Sequence, residues 1–219
     1  MWHFDGETAT HVQSQLSLSV APNSTSNRNI HLCDSAGLLL TSLWHSPILD
    51  RLDLVEVYLR DDDLVARYAS CESFPFDTEF YWNLRSLGAE AAPVVAVSLL
   101  ISVRTNLLDT HPEIEVCTTV PQSSLTQADS SDGQMFLGTL TDELKLIEFA
   151  PAEDCATVSL DDSQHDNQVI HRRLFSHFLE KGVIRRARLF AAIAPANITE
   201  QQAEAICQDF LKAELPLTT

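Results

Sequence analysis

The stretch HRRLFSHFLEKGVIRRARLFAAIAP, His171–Pro195, decides what the last third of the chain adds to the fold. From about Gln164 apolar residues fall at Ile170, Leu174 and Phe178, with Phe175 and Leu179 beside them. Such spacing marks one face of a helix. Gly182 then serves as the stop, since glycine takes the left-handed backbone that ends a helix. VIRRARLFAAIAP follows, bracketed by Gly182 and Pro195. Its alanines and arginines suit a helix, but Leu189, Ala191 and Ile193 alternate onto one face, and a strand over 183–194 is the preferred reading. NITEQQAEAICQDFLKAELP is the clearest helix. Thr199 and Gln202 form a capping box, Ala203, Ile206, Phe210 and Leu211 make an apolar stripe, and Pro216 lies just past the end. A helix over Thr199–Glu214 is expected, with Glu200, Gln201, Glu204, Gln208 and Lys212 facing water.

Working back from there, the first two-thirds reads as β-structure. Leu54–Leu59 and Leu64–Tyr68 flank the turn signal Asp61-Asp62-Asp63, which predicts a hairpin. DTEFYWNLR alternates: Phe80, Trp82 and Leu84 point one way, and Glu79, Tyr81, Asn83 and Arg85 the other. Pro93–Val103 is a β-branched run suited to a central strand. QLSLSV, NIHLC, LLLTSLW, IEVCTTV, LKLIEFA and CATVSL resemble strands too. The fold expected is α+β: a mainly antiparallel sheet, single or as two packed sheets, covered by a C-terminal helix–strand–helix. At 219 residues this fits a single domain, 1–219, with the polar stretch 121–134 preferred as a long inter-strand loop over a subdomain boundary.

Charge and cysteines narrow the function. The balance of 31 acidic against 14 basic residues, net −17, opposes nucleic-acid and anionic-membrane partners, which need a clustered positive field. The five cysteines are scattered, with no C-x-x-C pair, as reduced thiols in a cytoplasmic protein would be. MWHFDGETATH shows no signal-peptide pattern, and the longest apolar stretch, Ala91–Val103, is too short to span a bilayer. None of the six glycines builds a phosphate-binding loop, and no G-x-S-x-G or H-E-x-x-H occurs. No cofactor and no metal are expected.

The candidate sites are few. Tyr81, Asn83 and Arg85, on a segment holding five of the sixteen aromatics, could orient a stacked ligand, though strand aromatics are more often core. Arg186 and Arg188 would share a strand face and could fork an anion. They belong to His171–Arg188, which carries six bases and one acid; Thr105–Ile170 before it carries thirteen acids and one base. Mutual neutralisation, within the chain or by a second copy, is the simpler reading. Asp162, His165 and Asp166 could converge on a cation if a helix ran through them, but helix capping explains them as well. Asp109 and His111 read as turn residues. The best functional reading is an acidic, non-catalytic module that binds a protein partner or itself. The alternative is a small-molecule or carbohydrate-active protein using the aromatic strand.

Overall fold

The computed structural model describes residues 1–25, 28–85, 94–121, 125–128, 130–164 and 167–213. In chain order its strands are β1 (His3–Phe4), β2 (Ala9–Gln13), β3 (Leu16–Val20), β4 (Ile30–Asp34), β5 (Leu39–His45), β6 (Leu54–Arg60), β7 (Asp63–Tyr68) and β8 (Asp77–Leu84). There follow β9 (Val95–Arg104), β10 (Ile114–Pro121), β11 (Thr126–Ala128), β12 (Gly133–Thr139), β13 (Leu144–Pro151), β14 (Cys155–Gln164), β15 (Asn167–Leu174) and β16 (Ile184–Pro195). One α-helix, α1 (Glu200–Lys212), comes last.

The strands form two eight-stranded antiparallel sheets. The first runs β1-β2-β3-β4-β5-β10-β15-β14, and the second β11-β12-β13-β16-β9-β8-β7-β6. Inward residues of both, among them Leu18, Leu32, Trp44 and Val116 from the first and Phe80, Trp82, Ile101 and Leu189 from the second, make one buried core. The fold is a β-sandwich, and the α+β expectation is wrong. Among the described residues no α-helix precedes the strand 184–195: the segment expected to be helical from Gln164 is, where described, the strand β15 and the irregular chain after it. A spacing of four is also a multiple of two, so Ile170 and Leu174 fit a strand face equally well. Between them on that face stands Arg172, buried against Glu148 of β13. A charge turned inward hid the alternation. Gly182 does adopt positive φ, 79°, but in the turn before β16.

Among the described residues one α-helix covers the sandwich, not two. The capping box at Thr199 and Gln202 starts α1, as read from the sequence. Its Ala203, Ile206, Cys207 and Phe210 pack on the outer face of the second sheet, against Met135, Phe149, Phe190 and Ala192. The segment 121–134, expected to be a loop, holds β11 and the first residues of β12, both in the second sheet, whereas β10 before it belongs to the first. Among the described residues no helix is long and apolar enough to cross a membrane.

Candidate functional site

Strand pairing sets the outer face of the second sheet beyond α1. Tyr58, Val65, Tyr81 and Leu100 stand in register across β6, β7, β8 and β9, with Arg188 of β16 next in line. One rung along come Glu56, Arg67, Glu79, Ser102 and Arg186. As expected, Tyr81 faces opposite to Phe80 and Trp82: it belongs to a small outer cluster, and they to the core between the sheets.

Four of the five expected site residues, Tyr81, Asn83, Arg85 and Arg188, line one crevice where this face meets α1. Both guanidinium carbons sit over the Phe210 ring, Arg85 at 5.9 Å and Arg188 at 5.8 Å from its centre. Asn83 donates to Asp63 at 2.5 Å and Tyr81 to Glu79. Arg85 Nε donates to Ser98 at 3.0 Å. Burial lowers the Arg85 pKa and neighbouring Arg188 adds to that, against the opposing pull of Asp63. The crevice has a volume of about 10 Å³, room for roughly one water. Phe210 fills the place a ligand ring would take.

Arg186 shares the strand face of Arg188 but lines another hollow, of about 120 Å³, with Asp154, His177 and Arg185. Arg188 is held by Glu153 at 2.8 Å and Asp154 at 2.9 Å. Arg173 meets Glu113 at 3.2 Å. Three of the six bases of the stretch, Arg172, Arg173 and Arg188, thus pair with acids of the block before it. Asp109 lies in an exposed turn and His111 packs its ring on Phe178. His165 and Asp166 lie outside the described residues, as does the Asp162 side chain.

The outer face of the first sheet holds a cluster that the sequence reading missed. Cys117 of β10 pairs directly with His171 of β15, and Glu115 lies two residues earlier on the same face. Cys117 Sγ is 3.3 Å from His171 Nδ1 and 3.6 Å from Glu115 Oε1; Glu115 Oε1 is 2.6 Å from His171 Nδ1. This is the one group of three His, Cys, Asp or Glu donors gathered within 4.8 Å among the described residues. A hollow of about 230 Å³ opens beside it, lined by Thr157, Ser159, Asp161 and Arg173. On the other side, His45 of β5 is the register partner of Cys117.

Thiol, imidazole and carboxylate suggest a nucleophile, its base and an orienting acid. The geometry is different. A relay needs nucleophile and acid on opposite imidazole nitrogens, and here both meet Nδ1. Burial, then the charge of Glu115, pushes the Cys117 thiol up to about 12, so it stays protonated at neutral pH. Three donors converge on one point instead. Only Glu115-x-Cys117 is a local pattern; His171 is brought in by pairing between strands far apart in the chain.

No family model matches the chain, and no curated protein matches it. Among solved structures, a protein provisionally described as a kojibiose phosphorylase from the human microbiome is similar at TM-score 0.46 and 9% identity. The match covers 96% of this chain and 29% of that one, so this chain spans under a third of that protein's length. A likeness this weak carries no argument.

Proposed function

We propose that this chain is a single-domain, non-catalytic module that joins a second copy of itself through the edge strand β6. Charge on that strand supports the reading. Edge strands expose unpaired backbone groups and are normally blunted. β1 and β11, at two of the four edges, have two and three residues. β14 is longer but breaks register with its neighbour at both ends and carries Asp161 and Asp162. β6 has seven residues, LVEVYLR, with no proline or lysine; it shifts register once, between Leu54 and Glu56, pairs without a break from Glu56 to Arg60, and exposes Val55 and Leu59. Antiparallel pairing of two copies centred on Tyr58 sets Glu56 of each, which also meets Arg67 of its own chain, opposite Arg60 of the other, which also meets its own Asp63. A two-fold contact of this kind is self-complementary and closes. All five cysteines, Cys33, Cys71, Cys117, Cys155 and Cys207, are outside any disulfide, which suits a reducing cytoplasm. Net charge −17 makes nucleic acid and anionic membranes poor partners.

The carbohydrate reading has less to rest on. Stacking a sugar needs an exposed ring, whereas Phe74, Phe76, Phe80, Tyr81 and Trp82 are all buried.

Sedimentation equilibrium tests the proposal. Wild type is expected to dimerise reversibly. Leu59→Lys adds the charge that natural edges use against pairing and should be monomeric. Glu56→Arg sets like charges opposite each other and should weaken the dimer. Both sites are exposed, so melting should confirm intact folds. A monomeric wild type, or variants that dimerise as wild type does, would overturn the reading.

A further inference from the structure

We propose that Glu115, Cys117 and His171 bind a zinc-type divalent cation on the outer face of the first sheet.

The donor set is the first argument. Thiolate and imidazole select borderline metals such as zinc, and a carboxylate completes many such sites; magnesium and calcium sites are built from oxygen. Geometry is the second. Zn–S near 2.3 Å with Zn–N and Zn–O of about 2.0–2.2 Å puts tetrahedral donor pairs about 3.4–3.6 Å apart. Sulfur lies 3.3 Å from the imidazole nitrogen and 3.6 Å from the carboxylate oxygen, close to those values. The carboxylate and imidazole, at 2.6 Å, share a hydrogen bond and must separate. Glu115 is half exposed, so no packing blocks the turn of its carboxylate once that bond gives way. The backbone is the third. Cys117 and His171 are held side by side on paired strands within a continuous ladder, so two ligands are fixed before any ion arrives. The hollow beside Thr157, Ser159 and Asp161 leaves space for water at the remaining position.

The ion takes the place of the Cys117 thiol proton. A dication in the proton's place favours thiolate and carboxylate together. Binding then follows a balanced step: M²⁺ and the Cys117 thiol give the M–S bond and one free H⁺, with no change of oxidation state. Because binding releases a proton, affinity falls as pH falls.

Cobalt(II) is the probe, titrated into the reduced, full-length protein. One equivalent should bind, giving a thiolate-to-cobalt charge-transfer band in the near ultraviolet, with about one proton released per ion near pH 8. Zinc should displace it. Cys117→Ser should lose the band. Glu115→Gln and His171→Asn, both at partly exposed positions, should bind at least about tenfold more weakly. Melting of the metal-free variants checks that each is folded. A charge-transfer band that survives Cys117→Ser, binding unaffected by the other two changes, or no saturable cobalt binding to wild type would each overturn the proposal. It stands apart from the dimer edge, so either can fail alone.

Discussion

Arg172 and Glu148 face each other across the interior, from β15 of the first sheet and β13 of the second. Both are almost fully buried. Arg172 Nε donates to both Glu148 oxygens, at 3.0 and 3.1 Å, and Nη2 to Oε2 at 2.5 Å. Its other donors reach the side chain and carbonyl of Gln134, and Trp44 Nε1 donates to Glu148 at 3.3 Å. Removing one member of such a pair strands a charge in the core and costs about 3–5 kcal/mol, whereas replacing both with apolar groups is often near neutral. Arg172→Met should therefore lower the urea midpoint severely. Arg172→Met with Glu148→Leu should recover most of it, short of the bond Trp44 loses. If single and double variants denature alike, the pair is not coupled. At this scale the sequence was least legible. Arg172 interrupts an otherwise apolar strand face, and nothing local shows that its carboxylate lies in another sheet. The Glu115–Cys117–His171 cluster is hidden for the same reason, since its third member arrives by pairing.

Elements were far more legible. Strands β3 to β10, with β13 and β16, lie within a residue or two of the runs that predict them, because each alternates or is β-rich between turn signals; β14 starts with its run but continues four residues past Leu160, to Gln164. Strands β1, β2, β11 and β12 sit in polar or short segments and raise no pattern. α1 is signalled at both the cap and the stripe. Its Phe210 is buried, stacks on Phe190 at 4.9 Å and meets Phe149 edge-on at 6.3 Å. Phe210→Ala should cost about 3–5 kcal/mol. The outward face is less uniform than its composition implies. Glu204 accepts from Ser130 at 3.2 Å and Gln208 at 3.0 Å, and Gln208 also donates to Asp132 at 2.8 Å, so this side ties α1 to the chain before β12. Gln201, which is exposed, is the proper control, and Gln201→Ala should stay within about 0.5 kcal/mol. Equal melting of the two variants would mean that α1 is not docked through Phe210.

Across the whole molecule the pairing partners are what periodicity cannot supply. β10 lies between β5 and β15, and β9 beside β16, so the sandwich is closed by contacts distant in sequence. Charge, by contrast, is a whole-chain property that composition does report. Arginines of the basic stretch pair with acids of the preceding block, yet a net −17 remains. Exposed pairs such as Arg67–Glu56 and Arg104–Asp77 are worth only about 0–1 kcal/mol each and weaken in salt. The buried Arg172–Glu148 pair is hardly screened. Mutual repulsion of the surplus acids acts over the entire surface and is screened strongly, as the Debye length falls from about 30 Å at 0.01 M to about 3 Å at 1 M salt. Relief of repulsion should exceed the loss of a few surface pairs. Sodium chloride is therefore expected to raise the melting temperature steeply at low concentration and then level off. Dimerisation also responds to salt, so Leu59→Lys should be scanned beside wild type at equal concentration; a rise in both belongs to the fold itself. A melting temperature that falls with added salt in the monomeric variant would show that specific surface pairs, not surplus charge, dominate the electrostatics of this sandwich.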